Sequence, residues 1–167
     1  PDVEMDVVVI PEYVNSIWKS GAFTNFAAEY YAKNPKIKEN LNSNINLRMI
    51  RDFKKYLDTY SLDYNVEGEK EFIKLEKILK NTNNNQLTFG HNNLLNAANQ
   101  YFDNMRNKQF LNRNNQRWIK HALRRELSKV IFGSSEEIKA QLVNDSIYNK
   151  AVEILLNQKT YNKILNL

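Results

Sequence analysis

The chain has 167 residues, no cysteine, and 24 Lys and Arg against 19 Asp and Glu, a formal net charge of +5. A chain of this length buries about 68–70% of its unfolded surface, so one domain can hold an ordinary core without cofactor or cross-link. The lack of cysteine removes disulfides, thiolate metal sites and cysteine nucleophiles, and no apolar run reaches the ~20 residues of a membrane-spanning helix.

No basic start followed by an apolar stretch marks a signal peptide. About one residue in six is Asn, well above ordinary usage, a bias read as base composition rather than function. The small positive excess allows weak attraction to anions without naming a partner.

The opening "PDVEMDVVVI" carries a strand-like run, Val7 to Ile10, with no second strand downstream to pair with it. Residues 1–10 therefore read as an extended segment and 11–167 as an α-helical domain. The fold class is mainly α: an irregular multi-helix domain with a short N-terminal extended segment. Pro11 suits a first helical turn, and Tyr13, Val14, Ile17 and Trp18 recur at helical spacing up to Gly21. Phe23, Phe26, Ala27, Tyr30 and Tyr31 then share a face that ends at Asn34-Pro35, because the residue before proline leaves helical space.

An amphipathic stretch follows over 47–60, with Ile50, Phe53, Leu57 and Tyr60 inward, and another over 67–80, with Phe72, Leu75 and Leu79 as its stripe. "NTNNNQ" breaks it, since asparagines favour turns and caps, and an internal loop is expected near 81–91. From Asn92, the residues Leu94, Leu95, Ala98, Tyr101, Phe102 and Met105 give a long stripe. After the polar patch Asn112 to Gln116, a second uses Ile119, Leu123, Leu127, Val130 and Ile131. Gly133 is placed as a left-handed C-cap, Ser134 or Ser135 as the next N-cap, and Asp145 as the cap of a helix facing inward through Tyr148, Ala151, Val152, Leu155 and Leu156. Tyr161, Ile164 and Leu165 repeat the pattern at the end of the chain.

Little of this assembles chemistry. Ser16 and Lys19 have the S-x-x-K spacing that places a hydroxyl one turn from an amine, but the S-D-N and K-T-G elements that accompany it in penicillin-binding enzymes are missing. His91 and His121 lack a second ligand at i+3 or i+4, and Glu136 and Glu137 read as first-turn acids. Gly is too scarce for a phosphate loop. No catalytic, cofactor-binding or metal-ligating residue is assigned, and no cofactor is expected.

The strongest electrostatic feature is basic, running from Arg106 to Lys129 with Glu126 as its one acid. Arg113, Arg117, Lys120, Arg124 and Arg125 form the candidate basic face, with Phe110 and Trp118 interleaved as base-stacking candidates. A solvated or partner-facing helix is the plainer account, and a free-standing nucleic-acid-binding module the alternative.

"PDVEM" resembles the P-D-V-E-type segment near the end of the peptidase core in carboxyl-terminal processing (tail-specific) serine peptidases. "PEYVNSIWKSGAFTNFAAEYYAKNP", "LRRELSKVIFG" and "NDSIYNKAVEILLNQKTYNKIL" are similar, in that order, to the helical C-terminal region of Bacteroidetes-type members. The resemblance implies a non-catalytic helical domain, inactive alone, with the parent's Ser/Lys dyad upstream of residue 1. It implies a periplasmic or cell-envelope setting, packing on the upstream peptidase and PDZ regions, and contacts with substrate, adaptor or a second copy. Nucleic acid ranks behind these partners. Tyr13, Trp18, Phe23, Phe26, Tyr30 and Tyr31 are the candidate partner surface, provided that they are exposed rather than filling the core.

Overall fold

The computed structural model describes residues 3–5, 8–39, 45–82, 89–143 and 145–165. Among them are nine α-helices and no strand. Val8, Val9 and Ile10 have no regular structure and are exposed; Val7 lies outside the described residues.

Helices α1 (Glu12–Lys19) and α2 (Ala22–Lys33) form a hairpin about Gly21. Its φ of 75° lies in the left-handed region, which costs a residue with a Cβ about 1–2 kcal/mol. Pro11 lies just outside α1, not in its first turn, and its carbonyl accepts the Asn15 N–H at 3.0 Å. Helix α2 stops where Pro35 forces it to: Asn34 leaves helical space at φ −134°, ψ 61°. A short 3-10 turn, Pro35–Glu39, leads away.

Helix α3 (Leu47–Leu57) starts at Asn46, whose side chain accepts the Met49 N–H at 2.9 Å. It buries Met49, Ile50, Phe53 and Leu57 and ends before Tyr60, which still packs on the core from the following turn. Phe53 stacks on Phe23 with centroids 5.1 Å apart and receives Phe26 edge-on at 5.0 Å.

The other wall of this core is α6 (Arg113–Phe132), in which Ile119, Ala122, Leu123 and Leu127 are wholly inaccessible. It lies against α1, α2 and α7 (Ser134–Leu142). Gly133 joins α6 to α7 at φ 91°, ψ −176°, a conformation essentially confined to glycine. It is positive in φ as expected but extended in ψ, and it takes the N-cap place expected of Ser134 or Ser135: its carbonyl receives the Glu137 N–H at 3.2 Å.

Helices α4 (Glu69–Thr82) and α5 (Phe89–Leu111) narrow the loop expected near 81–91, residues 83–88 lying outside the described set. They meet through Phe72 and Phe102, 5.2 Å apart, and through an ion pair of Glu69 with Arg106. Support from one side covers only part of each stripe, so Leu75, Leu94 and Tyr101, expected inward, are exposed.

Helix α8 (Ser146–Leu156) is capped by Asp145, as expected, and lies against α9 (Gln158–Ile164). Its apolar face meets no core, and Tyr148, Leu155 and Leu156 are 45%, 65% and 83% exposed, contrary to the inward face read from their spacing.

Burial predicts where truncation matters. Phe53→Ala should lower the unfolding free energy by about 3–5 kcal/mol, and Leu155→Ala by no more than about 0.5 kcal/mol. Urea titrations followed by circular dichroism compare them, and equal losses would contradict this placement of the core.

Candidate functional site

The six aromatics of α1 and α2 do not make the exposed patch that a partner surface needs. Tyr13, Phe23 and Phe26 are buried, while Trp18, Tyr30 and Tyr31 are half-buried. The reason is the hairpin at Gly21, which turns the inner faces of both helices toward α3 and α6. The Tyr13 hydroxyl is pushed up to about 12 by burial, then by Asp58 and Tyr64, and stays neutral at ordinary pH. Ser16 is buried too, and its Oγ donates to the Tyr13 carbonyl at 2.7 Å while Lys19 stands exposed. The S-x-x-K spacing is thus a helix hydroxyl bonded to its own backbone.

The basic segment divides into a bound set and a set without acids. Arg125 donates from Nε and Nη2 to Oε1 of Glu137 at 3.0 and 2.8 Å, and Lys129 lies 3.4 Å from Oε2. The Arg125 guanidinium also sits 5.5 Å from the Trp18 ring centroid, so one side chain ties α1, α6 and α7 together. Hydrogen bonding from Arg125 holds the Glu137 carboxyl below the usual range, against burial, with Lys129 adding to the effect. Arg106 pairs with Glu69 and Asp103.

Arg113, Arg117, Lys120 and Arg124 follow at i, i+4, i+7 and i+11 along α6. They line a groove of about 950 Å3 with Asn112, Asn114, Gln116, His121 and Ile45, and among the described residues that lining contains no carboxylate. The polar patch read as a break between stripes is what aims them. Asn112 caps α6 by accepting from the N–H groups of Asn114 and Asn115, while Asn115 Nδ2 and Gln116 Nε2 donate back to the carbonyls of Gln109 and Phe110 at 2.8 and 2.7 Å. The α5–α6 joint is thereby locked. Phe110 is buried in the core with the Lys54 ammonium over its ring at 5.7 Å, which removes one of the two base-stacking candidates.

His121 is half-buried, with Trp118 edge-on to its ring. Burial, then the charges of Arg125, Arg124 and Arg117, hold its pKa below the ordinary value. His91 lies in the first turn of α5. Among the described residues no group of three His, Asp or Glu side chains could hold a metal ion, and no helix is long and apolar enough to cross a membrane.

A second groove, about 490 Å3, shares Asn114, Arg117 and His121 with the first. Its walls include Val8, Val9 and Ile10, the two tryptophans and Ile147. Sequence reasoning did not place this groove; its one signal was the apolar run without a mate.

Glu137→Gln should cost about 1–3 kcal/mol, as for a lost charge-assisted bond. Because the folded carboxyl titrates below its unfolded value, the stabilisation is complete above the ordinary Glu pKa, about 4.3. It is lost as pH falls through the lower folded value. Urea unfolding across that range should show a flatter acid limb in the variant, and an unchanged limb would contradict the assignment.

With this geometry in place, residues 13–155 match a family model described as "Probable PDZ-protease, C-terminal helical domain". That span runs from the first turn of α1 to the last turn of α8. No curated protein and no solved structure matches the chain.

Proposed function

Since this chain belongs to the family of C-terminal helical domains of probable PDZ-proteases, we propose that it is the non-catalytic part of a carboxyl-terminal processing serine protease. In this reading it packs on a peptidase core that precedes it in the polypeptide and bounds the path by which protein substrates approach. The catalytic serine and lysine stand in that core, and the setting is the periplasm or cell envelope.

One observation carries the docking part. Val8, Val9 and Ile10 are 56%, 72% and 41% exposed, and they form the aliphatic wall of the second groove beside the tryptophans and Ile147. Three consecutive aliphatic side chains facing water at the edge of a groove suit an interface that a neighbouring domain completes. The bonding of Ser16 to its own helix supports placing the nucleophile elsewhere.

Two experiments test the reading. The chain alone should leave an unstructured protein such as casein uncut, and Ser16→Ala should change nothing; cleavage that Ser16→Ala abolishes would overturn it. When the peptidase and PDZ regions are expressed separately, this chain should bind them, and Val9→Glu with Ile10→Glu should weaken binding by about tenfold or more, as for interface anchors. Unchanged affinity would remove the groove from the interface.

A further inference from the structure

The carboxylate-free groove on α6 is unexplained by docking to a peptidase core. We propose that it binds an extended acidic polypeptide segment whose apolar side chains enter the adjoining groove.

Among the described residues, four cations project into the first groove with no acid in its lining, and none of the four has a carboxylate partner. This contrasts with their neighbours Arg106, Arg125 and Lys129, each of which is ion-paired. Four like charges along one helix face repel one another, a cost that an anionic ligand relieves. At about 1.5 Å per residue the stripe is about 16 Å long, with steps of about 4.5–6 Å between successive cations. An extended chain repeats side chains on one face every 6.6–6.8 Å, about twice its rise per residue. Carboxylates on alternate residues therefore come within reach of successive cations, given the length of Arg and Lys side chains.

The rest of the lining selects a peptide among polyanions. Asn112 and Gln116 each use one amide atom at the α5–α6 joint and turn the other, Nδ2 and Oε1, to the groove beside the Asn114 amide, a set that can donate to and accept from a peptide backbone. Beyond the shared Asn114, Arg117 and His121, the second groove has aliphatic walls at Val8, Val9, Ile10 and Ile147 and a polar end at Gln141, Asp145 and Ser146. Aliphatic walls suit alternate side chains of an acidic-apolar sequence, whereas a nucleic acid would have to seat its bases on Trp18 and Trp118 there. Phe110, which base stacking would use, is buried.

The measurement is fluorescence anisotropy of this chain with a labelled peptide alternating Glu and Val, at low and at moderate salt. Controls are the same peptide with Gln for Glu and a labelled single-stranded DNA. Saturable binding of the Glu peptide, absent for the Gln peptide and weakened as salt rises, is the expected result. Arg117→Glu with Lys120→Glu should weaken it by about tenfold or more. Lys159→Glu with Lys163→Glu, the same charge change on α9, should have little effect. Arg113→Gln with Arg124→Gln provides a milder second variant, and circular dichroism checks the fold of each.

No binding at low salt, equal loss in both reversal variants, or tighter binding of DNA than of the Glu peptide would each overturn the proposal. The peptide assay uses this chain alone, and the docking assay uses the separately expressed peptidase and PDZ regions with Val9→Glu and Ile10→Glu as its variants. Because Arg117 lines both grooves, Lys120→Glu alone, which lies in the first only, separates failure of peptide binding from failure of docking.

Discussion

The structure hangs on α6, a helix that must be apolar on one side and cationic on the other. Ile119, Ala122, Leu123 and Leu127 are wholly buried, and each large side chain among them contributes about 1.5–3 kcal/mol. That burial sets the rotation of the helix about its axis. Once it is set, Arg113, Arg117, Lys120 and Arg124 have one direction left to them. The cationic groove is therefore a consequence of the core and shares its rigidity.

Two polar devices position this helix relative to its neighbours. At its start, Asn112 caps it while Asn115 and Gln116 tie it to the last carbonyls of α5. Toward its end, Arg125 reaches the Trp18 ring on one side and Glu137 on the other. Buried Glu126 adds a link to α2 by accepting from the Thr24 hydroxyl at 2.9 Å. Such bonds add modestly to stability, but their directionality makes the packing of α1, α2, α6 and α7 unique. Helices that lack comparable ties, α8 above all, keep large apolar side chains in water.

Membership of a PDZ-protease C-terminal family fits a chain whose titratable groups serve structure. The hydroxyl of Ser16 is engaged with its own helix, Tyr13 is held neutral, and Glu137 is held ionised by Arg125. What the domain has to offer is surface: a groove with an aliphatic wall made by the N-terminal segment, continuous with a groove lined by cations and amides. On our reading, the cationic groove takes the carboxylates of an acidic chain segment, and the second groove serves both that segment's apolar side chains and contact with the protease's own core.

Local features were legible in the sequence because they depend on near neighbours in the chain. The helix stop at Asn34-Pro35, the glycines at 21 and 133 and the Asp145 cap follow from backbone sterics and single hydrogen bonds. The inner stripe of α6 follows from its period. The family resemblance was legible too, through the order of patterned segments. Tertiary structure alone decided which apolar stripes are covered. Leu57 and Leu123 entered the core while Leu94, Leu155 and Leu156 did not, although their spacing looks the same. Periodicity says that a face is apolar but not whether a partner helix lies opposite it. For the same reason Tyr13, Phe23 and Phe26 became core rather than surface. Five cations that read as one face separated into Arg125, bound across to Glu137, and four that line a groove, because only the fold brings α7 beside α6.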